Sequence, residues 1–162
     1  MTYREFEQEI QAMAAAATDA ARLRFSRDTI GLLRASAQQA LETELTEAER
    51  EMLSKILIGV ETGVLDGLQH QLKMLTDNLC SDEVRAMEFH PDITELVCGL
   101  ENLLLYSETK DPNHISRLAI NMVNSVDHAI GGESGAYSID NMMGAEEMRN
   151  EHERQKRLLV GP

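Results

Sequence analysis

Residues 91–130 read PDITELVCGLENLLLYSETKDPNHISRLAINMVNSVDHAI and contain two runs of apolar residues at helical spacing. Between the runs, Asp111 precedes Pro112, which is the order of a helix cap followed by proline at the first helical position. Two helical runs joined by a short turn are typical of an antiparallel helix pair. The stretch therefore predicts two adjacent helices, of which the first starts near Asp92 and the second starts at Pro112 and ends at Gly131-Gly132.

Each of these two helices has one apolar stripe that we expect to be buried. The stripe of the first helix consists of Ile93, Leu96, Val97, Leu100, Leu103 and Leu104. The stripe of the second consists of Ile115, Ala119, Met122, Val126, Ala129 and Ile130.

Helix-starting residues also occur upstream of this pair. Thr2 precedes Glu5 with the spacing of a capping box, and Thr46 precedes acidic residues that favour a helix N-terminus. We predict a first helix from Thr2 to about Leu23 and a second that starts at Ser26 or Asp28. The second should end between Glu42 and Leu45, the third should run from Thr46 to Leu79, and a short helical or turn segment should span residues 81–88.

Three glycines, Gly59, Gly63 and Gly67, lie four residues apart within the long third helix. Each costs an isolated helix about 1 kcal/mol relative to alanine. Either another helix crosses against the glycine face, which is the interpretation we favour, or the chain breaks there into two helices.

The composition supports an all-α fold with an aliphatic core. Of the 162 residues, 43% are hydrophobic and only 4% are aromatic, a mixture that suits helix-on-helix packing. We predict a single-domain antiparallel helical bundle of about six to seven helices over residues 1–144. Residues 131–144 should form a loop anchored by Tyr137, Ile139, Met142 and Met143. Residues 145–162 should form a charged C-terminal helix or tail, either solvated and partner-dependent or docked on its own domain.

The net charge of −13 argues against a nucleic-acid ligand, because phosphate recognition depends on Lys and Arg. Residues 81–147 contain 13 Asp and Glu against three basic residues, a net charge of −10. Charged residues interrupt the most apolar stretch, residues 56–79, so we expect no membrane span. Cys80 and Cys98 have no metal-binding or redox spacing, and reduced thiols in the cytoplasm are the simpler expectation.

Motifs for chemistry are weak. The five histidines are dispersed without Glu-x-x-His or HExxH spacing, so we predict no bound metal. Gly132-Glu-Ser134-Gly135 only half resembles a nucleophile elbow, and phosphate-binding glycine loops are missing, so we predict no cofactor and no enzymatic activity.

The candidate partner-binding residues lie in the helix pair of residues 91–130 and the turn between its helices. One set shares a face opposite the buried stripe at spacings of four, three and four, and consists of Arg117, Asn121, Asn124 and His128. The other set is acidic and consists of Asp92, Glu95, Glu101, Glu108, Asp111 and Asp127. Directed hydrogen bonding by Asn and His would suit recognition, and an ordinary solvated face is the alternative.

Parts of residues 91–127, namely PDITELVCGLENLL, the turn at Asp111-Pro112 and AINMVNSVD, resemble the paired C-terminal helices of YjaG-like bacterial proteins of unknown function. The resemblance covers about a quarter of the chain. It implies an all-helical fold and a bacterial source, and it implies no catalytic residues.

Our leading hypothesis is an acidic immunity or antitoxin-type protein that inhibits a basic partner protein. Acidic surfaces accelerate encounter with cationic ones. The alternative is a self-associating scaffold or adaptor, such as a homodimer, whose interface is the leucine stripe of residues 65–79 together with the glycine face. A third hypothesis is an enzyme that uses the face from Arg117 to His128.

Overall fold

The computed structural model describes residues 1–134 and 143–161, and within those ranges the chain forms eight α-helices and no strand. The helices are α1 (Tyr3–Ala16), α2 (Asp19–Glu44), α3 (Glu47–Thr62), α4 (Leu68–Leu79), α5 (Glu83–Glu88), α6 (Pro91–Thr109), α7 (Pro112–Ser134) and α8 (Glu146–Val160). The all-α prediction is confirmed. Over the ranges described, none of these helices combines the length and apolar content that crossing a bilayer requires.

Local capping explains why several helices start where the sequence predicts. The hydroxyls of Thr2 and Thr46 both accept a hydrogen bond from the third helical N–H. In return, the backbone N–H of each threonine donates to the carboxylate of Glu5 or Glu49, which completes a capping box. Asp111 Oδ1 accepts from the backbone N–H of Asn113 at 2.9 Å in the first turn of α7. At the end of α6, Lys110 adopts a left-handed conformation with φ of 58°. The chain therefore reverses directly from α6 into α7.

The predicted boundary between the first two helices is wrong. The first helix does not reach Leu23 but ends at Ala16, and α2 starts at Asp19 rather than at Ser26 or Asp28. Thr18 separates the two helices in an extended conformation, and its hydroxyl accepts from the N–H of Ala21 at 3.1 Å.

An arginine closes the C-terminus of α1. Arg22 donates from Nε to the backbone oxygen of Ala14 and from Nη2 to that of Ala15, both at 2.8 Å. The last carbonyl groups of a helix lack intrahelical partners, so a side chain that binds them stabilises an end at that point. The alanine-rich periodicity continues past this boundary, which is why it gave no signal of the break.

The favoured interpretation of the three glycines is also wrong, because the chain breaks among them. Helix α3 ends at Thr62, and both Gly63 and Gly67 adopt left-handed conformations with φ of 76°. Gly59 serves another purpose, since a Cβ atom there would lie 2.6 Å from Leu68 Cδ1. After the break, α4 therefore packs closely against α3 at Gly59.

The core centres on the α6–α7 pair, with α2 packed along both helices. All but one of the residues in the predicted stripe of α6 are buried, the exception being the half-buried Val97. In α7, Ile115, Ala119 and Met122 are buried, whereas Ala129 is exposed. The predicted stripe is thus too long, because the final turns of α7 extend beyond the first turn of α6.

Helix α7 does not end at Gly131-Gly132 as predicted but continues to Ser134. A glycine usually ends a helix by adopting a left-handed conformation. Among the described residues, positive φ at glycine occurs at Gly63, Gly67 and Gly161. Of the predicted loop anchors, Met143 is buried, and Tyr137, Ile139 and Met142 lie outside the described residues.

Helix α8 packs against α1, α2 and α7, and a partly buried polar layer lies in its contact with α2 and α7. Arg154 Nη1 lies 2.5 Å from Asp28 Oδ2 on α2, and Nε and Nη2 donate to the two carboxylate oxygens of Glu151 at 2.8 and 2.7 Å. Gln155 is fully buried and donates to the backbone oxygen of Ala119 on α7 at 3.1 Å. These contacts attach a helix that has few apolar residues.

An ion pair with a buried carboxylate attaches α5 to α3. The carboxylate of Glu49 is fully buried and accepts from Arg85 at 2.5 and 2.9 Å and from Asn78 at 2.7 Å. The guanidinium of Arg85, together with the capping contacts from Thr46, lowers the pKa of Glu49 to about 2.

Candidate partner-binding face

Polar side chains of α6 and α7 meet in a line along one edge of the helix pair. Asn121 and Asn124 donate from their amide nitrogens to the two carboxylate oxygens of Glu95, at 2.8 and 3.2 Å. Asn102 donates to Asn121 Oδ1 at 2.9 Å, and Ser125 donates to Asp92 Oδ1 at 3.0 Å. We call these six residues the polar seam: Asp92, Glu95, Asn102, Asn121, Asn124 and Ser125.

Helix periodicity and the tight turn at Lys110 create the seam. Positions 92, 95 and 102 lie on one side of α6, and positions 121, 124 and 125 lie on one side of α7. Because the two helices are antiparallel, the start of α6 faces the far part of α7, which places Asp92 opposite Ser125. At the same end, Pro91 occupies the first turn of α6, and His90 Nδ1 accepts from the N–H of Asp92 at 3.1 Å.

The hydrogen bonds that hold the seam carboxylates come from neutral groups. The side-chain amides of Asn121 and Asn124 donate to Glu95, and the hydroxyl of Ser125 donates to Asp92. His90 Nδ1, which accepts the backbone N–H of Asp92, lies 3.7 Å from Asp92 Oδ2. Neutral donors fix the position of a carboxylate and leave its negative charge uncompensated. The seam therefore carries negative charge on side chains that hydrogen bonds hold in position.

Two of the three basic residues in the acidic stretch are paired with carboxylates outside it. Arg85 binds Glu49 of α3, and Lys110 Nζ lies 3.3 Å from Asp19 Oδ1 of α2. Arg117, the third, is exposed on α7. The acidic residues of α6 and α7 thus gain little neutralisation from cations of their own stretch.

Cys98 lies on α6 beside the seam, and the pKa of its thiol reflects the burial and the negative charge around it. Burial is the largest cause that raises the pKa of its thiol, and the negative charges of Glu95 and Glu101 raise it further. A thiolate is disfavoured where other negative charges are close. This thiol is therefore a poor nucleophile.

The ten predicted partner-binding residues do not form one cluster. The structure brings Asp92, Glu95, Asn121 and Asn124 together in the seam. Asp111 caps α7 at the turn, and Asp127 is half-buried beyond the seam. The side chains that are exposed belong to Glu101, Glu108, Arg117 and His128. The face predicted to lie opposite the core is thus divided, with its two asparagines turned towards α6.

Sequence reasoning missed Asn102 and Ser125, the other members of the seam. Asn102 lies seven residues after Glu95 and therefore on the same side of α6, and Ser125 lies four residues after Asn121 on α7. That spacing was the available signal. Its interpretation required knowing which sides of the two helices face each other.

Features of catalytic or metal sites are sparse in the described part of the chain. Within residues 1–134 and 143–161, no group of three or more His, Cys, Asp or Glu residues is arranged to hold a metal ion. Of the half-matching elbow, Ser134 is the last residue of α7, and Gly135 lies outside the described residues.

The surface predicted for self-association is used within the chain. The four leucines of α4 that point to the core are at most 5% exposed, and they are Leu68, Leu72, Leu75 and Leu79. Gly59 is in contact range of Leu68. A subunit interface on this stripe would require α4 to leave its own domain.

No family model matches the chain, and neither the curated proteins nor the solved structures include a match. The likeness of the α6–α7 sequence to YjaG-like proteins therefore stays a prediction.

Proposed function

We propose that this chain is a non-enzymatic, acidic protein-binding domain of the immunity or antitoxin type, which covers a cationic surface of a partner protein in the cytoplasm. The observation that carries the proposal is the polar seam. There, Glu95 accepts two amide hydrogen bonds, so that a full negative charge is held in one place.

A fixed charge favours binding in two ways. Long-range attraction between an acidic face and a basic one raises the association rate, and the effect weakens as salt is added. A carboxylate that is already positioned loses little side-chain entropy when a partner binds. The exposed residues Glu101 and Glu108 add negative charge on the side of α6 that faces α4.

The alternative, a self-associating scaffold, has less support. Its predicted interface, the leucine stripe and glycine face, lies between α3, α4 and the rest of the core. Scaffolding would need a different surface.

The test is to capture partners from the native host with the tagged full chain at low salt, and then to measure association rates with the recovered basic protein. The double variant Asp92→Asn with Glu95→Gln keeps the size of both side chains and removes two charges. We expect its association rate to fall several-fold at low salt, and the difference from the wild type to shrink at high salt.

A matched control removes the same charge elsewhere. Glu47→Gln with Glu51→Gln alters two exposed residues of α3, a helix that packs on α2 and α4. The control should associate at nearly the wild-type rate. Recovery of no basic protein, or an equal loss of rate in both double variants, would contradict the proposal.

A further inference from the structure

Two adjoining cavities form a groove between α4 and α6. One has a volume of about 540 Å³ and lies between residues 69–76 of α4 and Glu101. The other has a volume of about 240 Å³ and lies between the loop before α4 and residues 104–108 of α6. Gln69 lines both, so the two cavities are neighbours that meet at this residue.

The groove combines an apolar floor with an acidic rim. Leu72 and Leu104, each less than 5% exposed, lie at its base. Asp66, Glu101 and Glu108 line its edges and are exposed. The one lysine that lines the larger cavity is paired, since Lys73 Nζ lies 2.9 Å from Asp77 Oδ2. The rim therefore attracts cations.

Two acidic residues of the rim have the spacing of positions two helical turns apart. Glu101 and Glu108 are seven residues apart on α6, a separation of about 10 Å along the helix axis. Cations two turns apart on an incoming helix would have the same separation. Met74, which follows the groove-lining His70 by one turn, is 52% exposed. Methionine adapts its shape to apolar side chains of different partners.

We propose that the α4–α6 groove binds a basic amphipathic helix of the partner protein, with apolar residues on the floor and Lys or Arg against the rim. This inference rests on the proposed function and identifies the segment of the partner that is recognised. Helix-in-groove binding uses apolar anchors on one face of the bound helix. A second copy of this chain is a poor occupant, because each copy carries a net charge of −13 and like charges repel.

The test uses a synthetic 14-residue peptide with leucines on one helical face and lysines on the other. A scrambled peptide of the same composition keeps the charge and loses the amphipathic face. We expect the wild-type chain to bind the amphipathic peptide at least ten times more tightly than the scrambled one in fluorescence anisotropy.

Substitutions on one helix then locate the site. Gln69→Trp fills the groove without changing its charge and should weaken binding of the amphipathic peptide at least tenfold. Gln71→Trp places the same side chain at an exposed position of α4 outside both cavities, and it should bind as the wild type does. Circular dichroism of both variants should show wild-type helicity.

Two results would overturn the groove proposal. Equal binding of the two peptides would mean that charge alone is recognised, and wild-type affinity in Gln69→Trp would place the peptide elsewhere. A wild-type dimer that Gln69→Trp converts to a monomer would assign the groove to a second copy instead. The proposed function fails separately, through the seam variant Asp92→Asn with Glu95→Gln, which leaves the groove unchanged.

Discussion

Replacing Glu49 with glutamine is expected to destabilise the fold by about 3 kcal/mol at pH 7. The side chain is fully buried, and its carboxylate accepts two hydrogen bonds from Arg85 and one from Asn78. Glutamine has nearly the same size, so the substitution removes the charge and changes the packing little. Arg85 is 31% exposed, and water can therefore solvate the guanidinium once its partner is neutral.

The magnitude follows from the pKa of Glu49, which is lowered from 4.5 to about 2. Each unit by which folding lowers a pKa corresponds to about 1.4 kcal/mol, so the ionised carboxylate stabilises the folded state by about 3 kcal/mol. Because the folded pKa lies below the unfolded one, this stabilisation is present above pH 4.5 and is lost as the pH falls towards 2. At pH 3, about 1.4 kcal/mol should remain.

Urea denaturation at pH 7 and pH 3 measures both values. With a slope of about 2 kcal/mol per molar urea, Glu49→Gln should lower the midpoint by about 1.5 M at pH 7 and by about half as much at pH 3. Glu47→Gln removes an exposed charge in the same turn and should change the free energy of unfolding by less than about 0.5 kcal/mol. A difference between wild type and Glu49→Gln that is the same at both pH values would refute the reasoning.

Two further substitutions test the packing. Gly59→Ala should destabilise the fold by about 1–3 kcal/mol, because its Cβ would lie 2.6 Å from Leu68 Cδ1 and 2.9 Å from the backbone oxygen of Val64. Gly31→Ala, with open space around it, should stabilise α2 by about 0.5–1 kcal/mol. Thermal denaturation of both variants checks this, and a stabilising Gly59→Ala would contradict the close contact. Arg154→Ala should speed amide hydrogen exchange throughout α8, since it leaves a buried carboxylate without its cation. Arg157→Ala, an exposed change on the same helix, should not, and equal exchange in the two would show that the polar layer does not hold α8.

Much of the fold could be predicted because several helix starts depend on local features. The capping box at Thr2, the acidic entry at Thr46 and the proline at position 112 act on amides within one turn, so the residues that decide each start are neighbours in sequence. The apolar stripe of α6 likewise depends on spacing alone. These signals were enough to establish an all-α chain and the α6–α7 pair.

The three glycines show what residue spacing alone cannot predict. Gly59, Gly63 and Gly67 have the same spacing and the same intrinsic helix cost, yet Gly59 lies inside a helix and the other two take left-handed conformations around a break. The difference depends on Leu68, which folds back onto Gly59. Spacing cannot distinguish a close approach from a turn, because both favour a residue without a side chain.

The candidate site, too, could be predicted only in part from the sequence. Composition and sequence position by themselves place an excess of carboxylates in residues 81–147. Only the packed structure turns Asn121 towards Glu95 and joins Glu49 to Arg85, 36 residues away. The number of charges belongs to the sequence, whereas the partner of each charge depends on which helices meet. Burial then decides how strongly the two groups interact, because water no longer screens them.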